Sequence, residues 1–125
     1  MLRGISLYFA ANRINIHKQT IYDLGKPEYI HLLINEKEKQ MFIQSCERDL
    51  DAFRLYYAPE SGDKAGRFYV NAKSLLIYLA NVIGVDRNGP SLRFFGILLE
   101  DGATVYINLK EYEIIENENF DEEES

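Results

Sequence analysis

Apolar residues recur along the chain at two spacings, and the switches between them mark out the elements. Ile5-Ser6-Leu7-Tyr8-Phe9 is a first apolar run, and Ala10-Ala11-Asn12 can turn the chain. Arg13-Ile14-Asn15-Ile16 then alternates polar and apolar, the period of a half-buried strand. Over His17–Leu24 the spacing lengthens, and Ile21 and Leu24 lie three apart on one helical face. Gly25 can take the left-handed backbone that ends a helix, and Pro27 blocks its continuation, so one or two helical turns are predicted. Tyr29–Ile34 and Gln40–Gln44 read as a hairpin around the charged turn Asn35–Lys39.

After a polar connector at 47–52 the order of elements repeats. Phe53–Tyr57 is an aromatic-rich strand, and Pro59, Gly62 and Gly66 mark a loop before the strand Arg67–Val70. Asn71 is a good helix N-cap, because its side chain can accept a free amide of the first turn. The predicted helix runs to Ile83 and stops at Gly84, with Leu75, Leu76, Leu79, Val82 and Ile83 on one face. Asp86–Pro90 turns the chain into a strand at Leu92–Glu100. Asp101-Gly102 is a tight hairpin signal, and Thr104–Leu109 is the return strand, which Lys110–Ile115 extends.

These elements predict an α+β fold: tandem strand–strand–helix–hairpin repeats forming a small mixed β-sheet or barrel with two helices. Residues 1–46 make the first repeat, and residues 47–115 make a second, with a tighter hairpin turn, packed on the first as one domain. The alternative is two unrelated strand–helix–strand pieces. One copy alone is too small to bury its sheet face, so copies must pack together or pair between chains.

Composition narrows the class. The 125 residues are 46% hydrophobic and 27% charged, which suits a globular domain and excludes a collagen-like chain, a disulfide scaffold or a multidomain enzyme. The net charge of −6 belongs to residues 116–125, which hold six acids and no base and read as a disordered, solvated tail; the preceding residues are formally neutral. That tail can also screen or steer a basic partner. Cys46 is the only cysteine, which fits a reducing compartment, and no apolar run reaches membrane-spanning length. A cytoplasmic protein without membrane association is expected.

The repeat unit resembles that of the swapped-hairpin family of bacterial DNA-binding regulators, the AbrB-like and MraZ-like proteins. Their unit is a strand with a basic residue at its start, a short helix ending in Leu-Gly, and a hairpin. Arg13–Lys18, Leu24-Gly25-Lys26 and Tyr29–Ile43 look like one copy, and Gly66–Lys73 like the opening of a second. The family usually has a proline after the strand, where this chain has His17 and Asn71. The resemblance implies contact with double-stranded DNA through Arg13, Lys18, Arg67 and Lys73, with a homodimer doubling the cations. Arginine suits bidentate contact with guanine or phosphate, and lysine supplies a point charge.

No other chemistry stands out. His17 and His31 lie 14 residues apart with no cysteine pair or acidic ligand at metal spacing, so both read as ordinary surface or partly buried histidines and no metal site is expected. There is no glycine-rich phosphate loop, Cys46 has no nucleophile signature, and neither a cofactor nor enzymatic activity is expected. Tyr56, Tyr57, Tyr69 and Tyr106 can form an exposed aromatic patch on one sheet face. Two functions follow: a small DNA-binding transcriptional regulator, or a non-catalytic protein-interaction module of the kind a mobile element can carry, in which DNA binding is lost. They separate on whether the four cations converge on one face.

Overall fold

Strand β1 (Gly4–Tyr8) runs through a single 3-10 turn, closed by Asn12 in the left-handed conformation, into β2 (Arg13–Ile16). The structure is a computed structural model and describes residues 2–59 and 66–116; Gly62 and the acidic run beyond Glu116 lie outside them. Helix α1 (Lys18–Asp23) follows. It ends as Gly25 and Lys26 both take positive φ and return their amides to Tyr22 and Ile21. This double bond-back satisfies carbonyls that the helix would otherwise orphan.

The hairpin β3 (Tyr29–Asn35) and β4 (Gln40–Cys46) comes next, then β5 (Phe53–Arg54), β6 (Tyr56–Ala58) and β7 (Arg67–Asn71). Helix α2 (Lys73–Ile83) leads to β8 (Ser91–Leu98), β9 (Thr104–Asn108) and β10 (Glu113–Ile115). The sheet is not mixed: every strand pairing among the described residues is antiparallel. The strand order is β5-β3-β4-β9-β8-β1-β2-β7-β6, with β10 beside β8. Because β5 and β6 flank the single residue Leu55, the two ends of that order lie next to each other in the chain. The result is a nearly closed antiparallel barrel with two helices. No helix among the described residues is long and apolar enough to cross a membrane.

The inward parity of the strands supplies the core: Ile5, Leu7, Ile14, Ile16, Ile43, Val70, Phe94, Val105 and Ile107 are buried in one cluster. Ile21 and Leu24 of α1 and Leu76, Leu79, Ala80 and Val82 of α2 complete it, with Leu75 and Ile83 packed at its margin. Burial of this kind contributes about 25 cal/mol per Å² of apolar surface and dominates folding.

The barrel changes partner sharply at Gly4. Its φ of +130° is a glycine conformation, and an added Cβ would overlap the Phe94 carbonyl and crowd the Gly96 amide. Here β8 passes from pairing with β1, at Phe95, to pairing with β9, at Gly96.

Several elements differ from the sequence reading. Asn71 does not cap α2: the β2–β7 ladder extends through it, opposite Arg13, and the Ala72 amide is taken by the Asn12 carbonyl, so Ala72 becomes the cap. The strand expected over 53–57 is broken at Leu55, whose amide bonds to the Glu28 carbonyl as the chain crosses from β3 to β7. The second hairpin turn is not the tighter: residues 99–103 connect β8 to β9, against 36–39 between β3 and β4. The Asp101 carboxylate sets that longer turn by accepting the Ala103 and Thr104 amides. Residues 110–115 do not prolong β9 either; the chain turns and returns as β10 against the start of β8.

Candidate functional surfaces

The four cations named from the sequence do not meet. Arg13 opens β2 beside Asn71, whereas Arg67 lies beyond the Ile16–Phe68 pair at the far end of the same ladder. At 3.3 Å per residue that separation is about 13 Å. Lys73 follows Asn71 at the Arg13 end, and Lys18 follows Ile16 at the Arg67 end. Arg67 is only 4% exposed, and the Arg13 guanidinium lies 3.7 Å over the centre of the Tyr69 ring. Two of the four thus have their charged groups committed to the protein itself.

One cation the sequence did not suggest joins the Arg13 end. Arg87, in the turn after α2, faces Lys73 across a cleft of about 290 Å³ that Asn12, Asn88 and Leu76 also line. Among the described residues no acidic side chain lines the cleft, and neither Lys73 nor Arg87 has a carboxylate partner. An anion would be accommodated there.

The expected tyrosine patch is divided. Tyr56 and Tyr69 stack at 5.6 Å on β6 and β7, while Tyr57 turns to the opposite parity and packs on Phe68. Tyr106 lies on β9 against Phe42, with ring centres 5.5 Å apart.

That last pair belongs to a surface with no counterpart in the sequence reading. Leu33 is aligned with Phe42, Phe42 with Tyr106, and Tyr106 with Ile97. Four large apolar side chains therefore form one straight row across β3, β4, β9 and β8, on the parity opposite the core. Leu33 is 47% and Ile97 60% exposed, and Phe95, two residues along on the same parity, is also exposed. Single exposed apolar residues need no explanation, but a contiguous row marks an interaction surface. The alternation signal was present in both hairpins; the row exists only once three separate registers bring it into line.

No family model, no curated protein and no solved structure matches this chain.

A second row, across β6, β7, β2, β1 and β8, is polar. Tyr56, Tyr69, Asn15, Ser6 and Arg93 are aligned in turn, and Glu113 of β10 ends the row with an ion pair to Arg93 at 3.7 Å. Its centre is covered: Ser6 and Asn15 are fully buried. His17 is fully buried too, rather than at the surface, and shares a 2.9 Å hydrogen bond with the Ser6 hydroxyl. Beside it, the Thr20 hydroxyl accepts the Gly4 amide at 2.8 Å. Buried polar groups satisfied in this way fix one packing arrangement.

Cys46 is half-buried. Burial, and then the Asp49 charge, push its thiol above the ordinary value, the reverse of the shift that activates a nucleophile.

Proposed function

We propose that this chain is a non-catalytic protein-interaction module built from two copies of one strand–strand–helix–hairpin unit. Exchanging β1 with β6, β2 with β7, β3 with β8 and β4 with β9, and counting β5 as the first half of β6, leaves the order around the barrel unchanged. Each helix follows the second strand of its unit, between β2 and β3 or between β7 and β8. This symmetry of connection supports the duplication and the likeness to the swapped-hairpin regulators.

The observation that carries the function is the exposed row Leu33–Phe42–Tyr106–Ile97. Its partner is a protein face of apolar residues rimmed by lysine or arginine. On one flank of the row, beyond the Gln44–Thr104 pair, the connector after β4 holds Glu47, Asp49 and Asp51 against Arg48, and the turn after β8 holds Glu100 and Asp101 with no base. The acids at 116–125 add to the same sign. Such a field steers a basic partner and disfavours an identical acidic copy. The test uses an amphipathic helical peptide with leucine along one face and lysine on the other. Calorimetry is expected to show binding that weakens with salt and falls tenfold or more in the double variant Leu33→Glu/Ile97→Glu. Equal binding by wild type and variant overturns the reading. A dimer in solution that the same substitutions split assigns the row to a second copy instead.

Double-stranded DNA is the second reading, favoured by Arg13, Lys73 and Arg87 at one end of the barrel. It requires a mixed-sequence duplex to bind at low salt and release at higher salt, with loss of binding when the three residues become alanine. A duplex left unshifted at low salt ends it.

A further inference from the structure

His31 lies well before Cys46 and Asp49 in the chain, yet the ligand atoms of all three lie within 4.8 Å of one another. The β3–β4 register does this. His31 is aligned with Gln44 and Tyr29 with Cys46, so Cys46 is the diagonal neighbour of His31 on the same face. The chain then turns, and that turn is fixed by Asp49 itself: one carboxylate oxygen accepts the Asp51 amide at 2.8 Å, and its carbonyl accepts the Ala52 amide. The other carboxylate oxygen meets His31 Nε2 at 2.8 Å. Asp49 is thereby held in place by its own backbone as well as by the histidine.

We infer that His31, Cys46 and Asp49 form a three-ligand site for a borderline divalent metal ion of the Zn²⁺ type. An imidazole nitrogen, a thiolate and a carboxylate oxygen are the donors such an ion takes, and a thiolate disfavours Mg²⁺ and Ca²⁺. With metal–ligand bonds of about 2.0–2.3 Å, a tetrahedral ion sets its donors about 3.3–3.8 Å apart. The three side chains need to move by roughly an ångström or less to reach that spacing, and the His31–Asp49 hydrogen bond opens to admit the ion. The charge balances: a dication meets one thiolate, one carboxylate and a neutral imidazole. Each ion bound displaces the Cys46 thiol proton to solvent and forms the metal–sulfur bond, while the proton on His31 Nε2 passes to Nδ1 through solvent so that Nε2 coordinates as a neutral imidazole, with no change of oxidation state. Three protein ligands leave a fourth position for water or for a partner's side chain. The site clips the connector after β4 onto the hairpin, two residues along β3 from Leu33 of the apolar row, and it stands whatever that row binds.

The test is a titration of the reduced, metal-free full chain with Co²⁺, followed by competition with Zn²⁺. One equivalent is expected to bind and to produce the near-ultraviolet thiolate-to-cobalt charge-transfer band, which Zn²⁺ then abolishes. Cys46→Ser is expected to remove the band while retaining the wild-type circular dichroism. Asp49→Asn and His31→Ala are expected to weaken binding on the order of tenfold or more. Metal held only by the acidic residues gives no such band. A wild-type chain without the band overturns the site, as does a band or an affinity that Asp49→Asn and His31→Ala both leave unchanged. If Cys46→Ser does not fold, the other two variants decide the question alone.

Discussion

The two cross-strand rows of the barrel invert the usual rule of burial. The row through Asn15 and Ser6 is polar and fully covered at its centre, while the row through Phe42 and Tyr106 is apolar and opens to solvent at both ends. Each is costly unless something compensates. In the first row the compensation is internal: Ser6 and His17 satisfy each other. In the second no described residue supplies it, and this is why we place the partner there. Alternation of polar and apolar residues tells which parity a residue occupies, but not which parity is covered.

Substitutions can break or sharpen that contrast. The largest effect is expected where the two rows are joined. Gly4→Ala forces a side chain into a positive-φ position against the Phe94 carbonyl and is expected to cost about 3 kcal/mol or more in urea unfolding. Next comes the covered row: Ser6→Val leaves the buried His17 without its hydroxyl partner and is expected to cost about 2 kcal/mol.

A smaller effect is expected at Asp23, which anchors α1 to the start of β1. Burial raises its carboxyl, but hydrogen bonds from Arg3 and Gln19 outweigh that and hold it below the ordinary 3.8. Its contribution is therefore fully present above pH 3.8 and is lost as pH falls through the lower folded value. Asp23→Asn is expected to cost about 1 kcal/mol at neutral pH, with the gap to wild type closing in acid. The smallest effect belongs to the uncovered row: Ile97→Thr is expected to change stability by less than about 0.5 kcal/mol while weakening peptide binding. A large destabilisation there would mean that the row packs within this chain.

Local signals carried much of the fold. Strand Arg13–Ile16, the α2 stop at Gly84 and both hairpins were legible because each depends on residues a few positions apart. Asn71 reads as a cap because capping chemistry is local, while the ladder that claims it, through Arg13, is not. The break at Leu55 and the return of β10 depend on strands dozens of residues away. The candidate site was less legible still. Arg13 and Lys73 were named, but only the register shows that Arg67 lies at the other end of the ladder and that Arg87 joins them. His31 has no ligand at close sequence spacing; the hairpin register brings Cys46 beside it across the sheet.

The position of β1 bears on how the molecule is made. All five of its residues are buried between β2 and β8, and its β8 partners lie between 85 and 91 positions further along the chain. A ribosome therefore delivers the central strand long before one of its two neighbours exists. Until Leu92–Phe95 has emerged, Ile5 and Leu7 wait with one edge unpaired, and barrel closure is expected to be a late, slow step governed by that long loop.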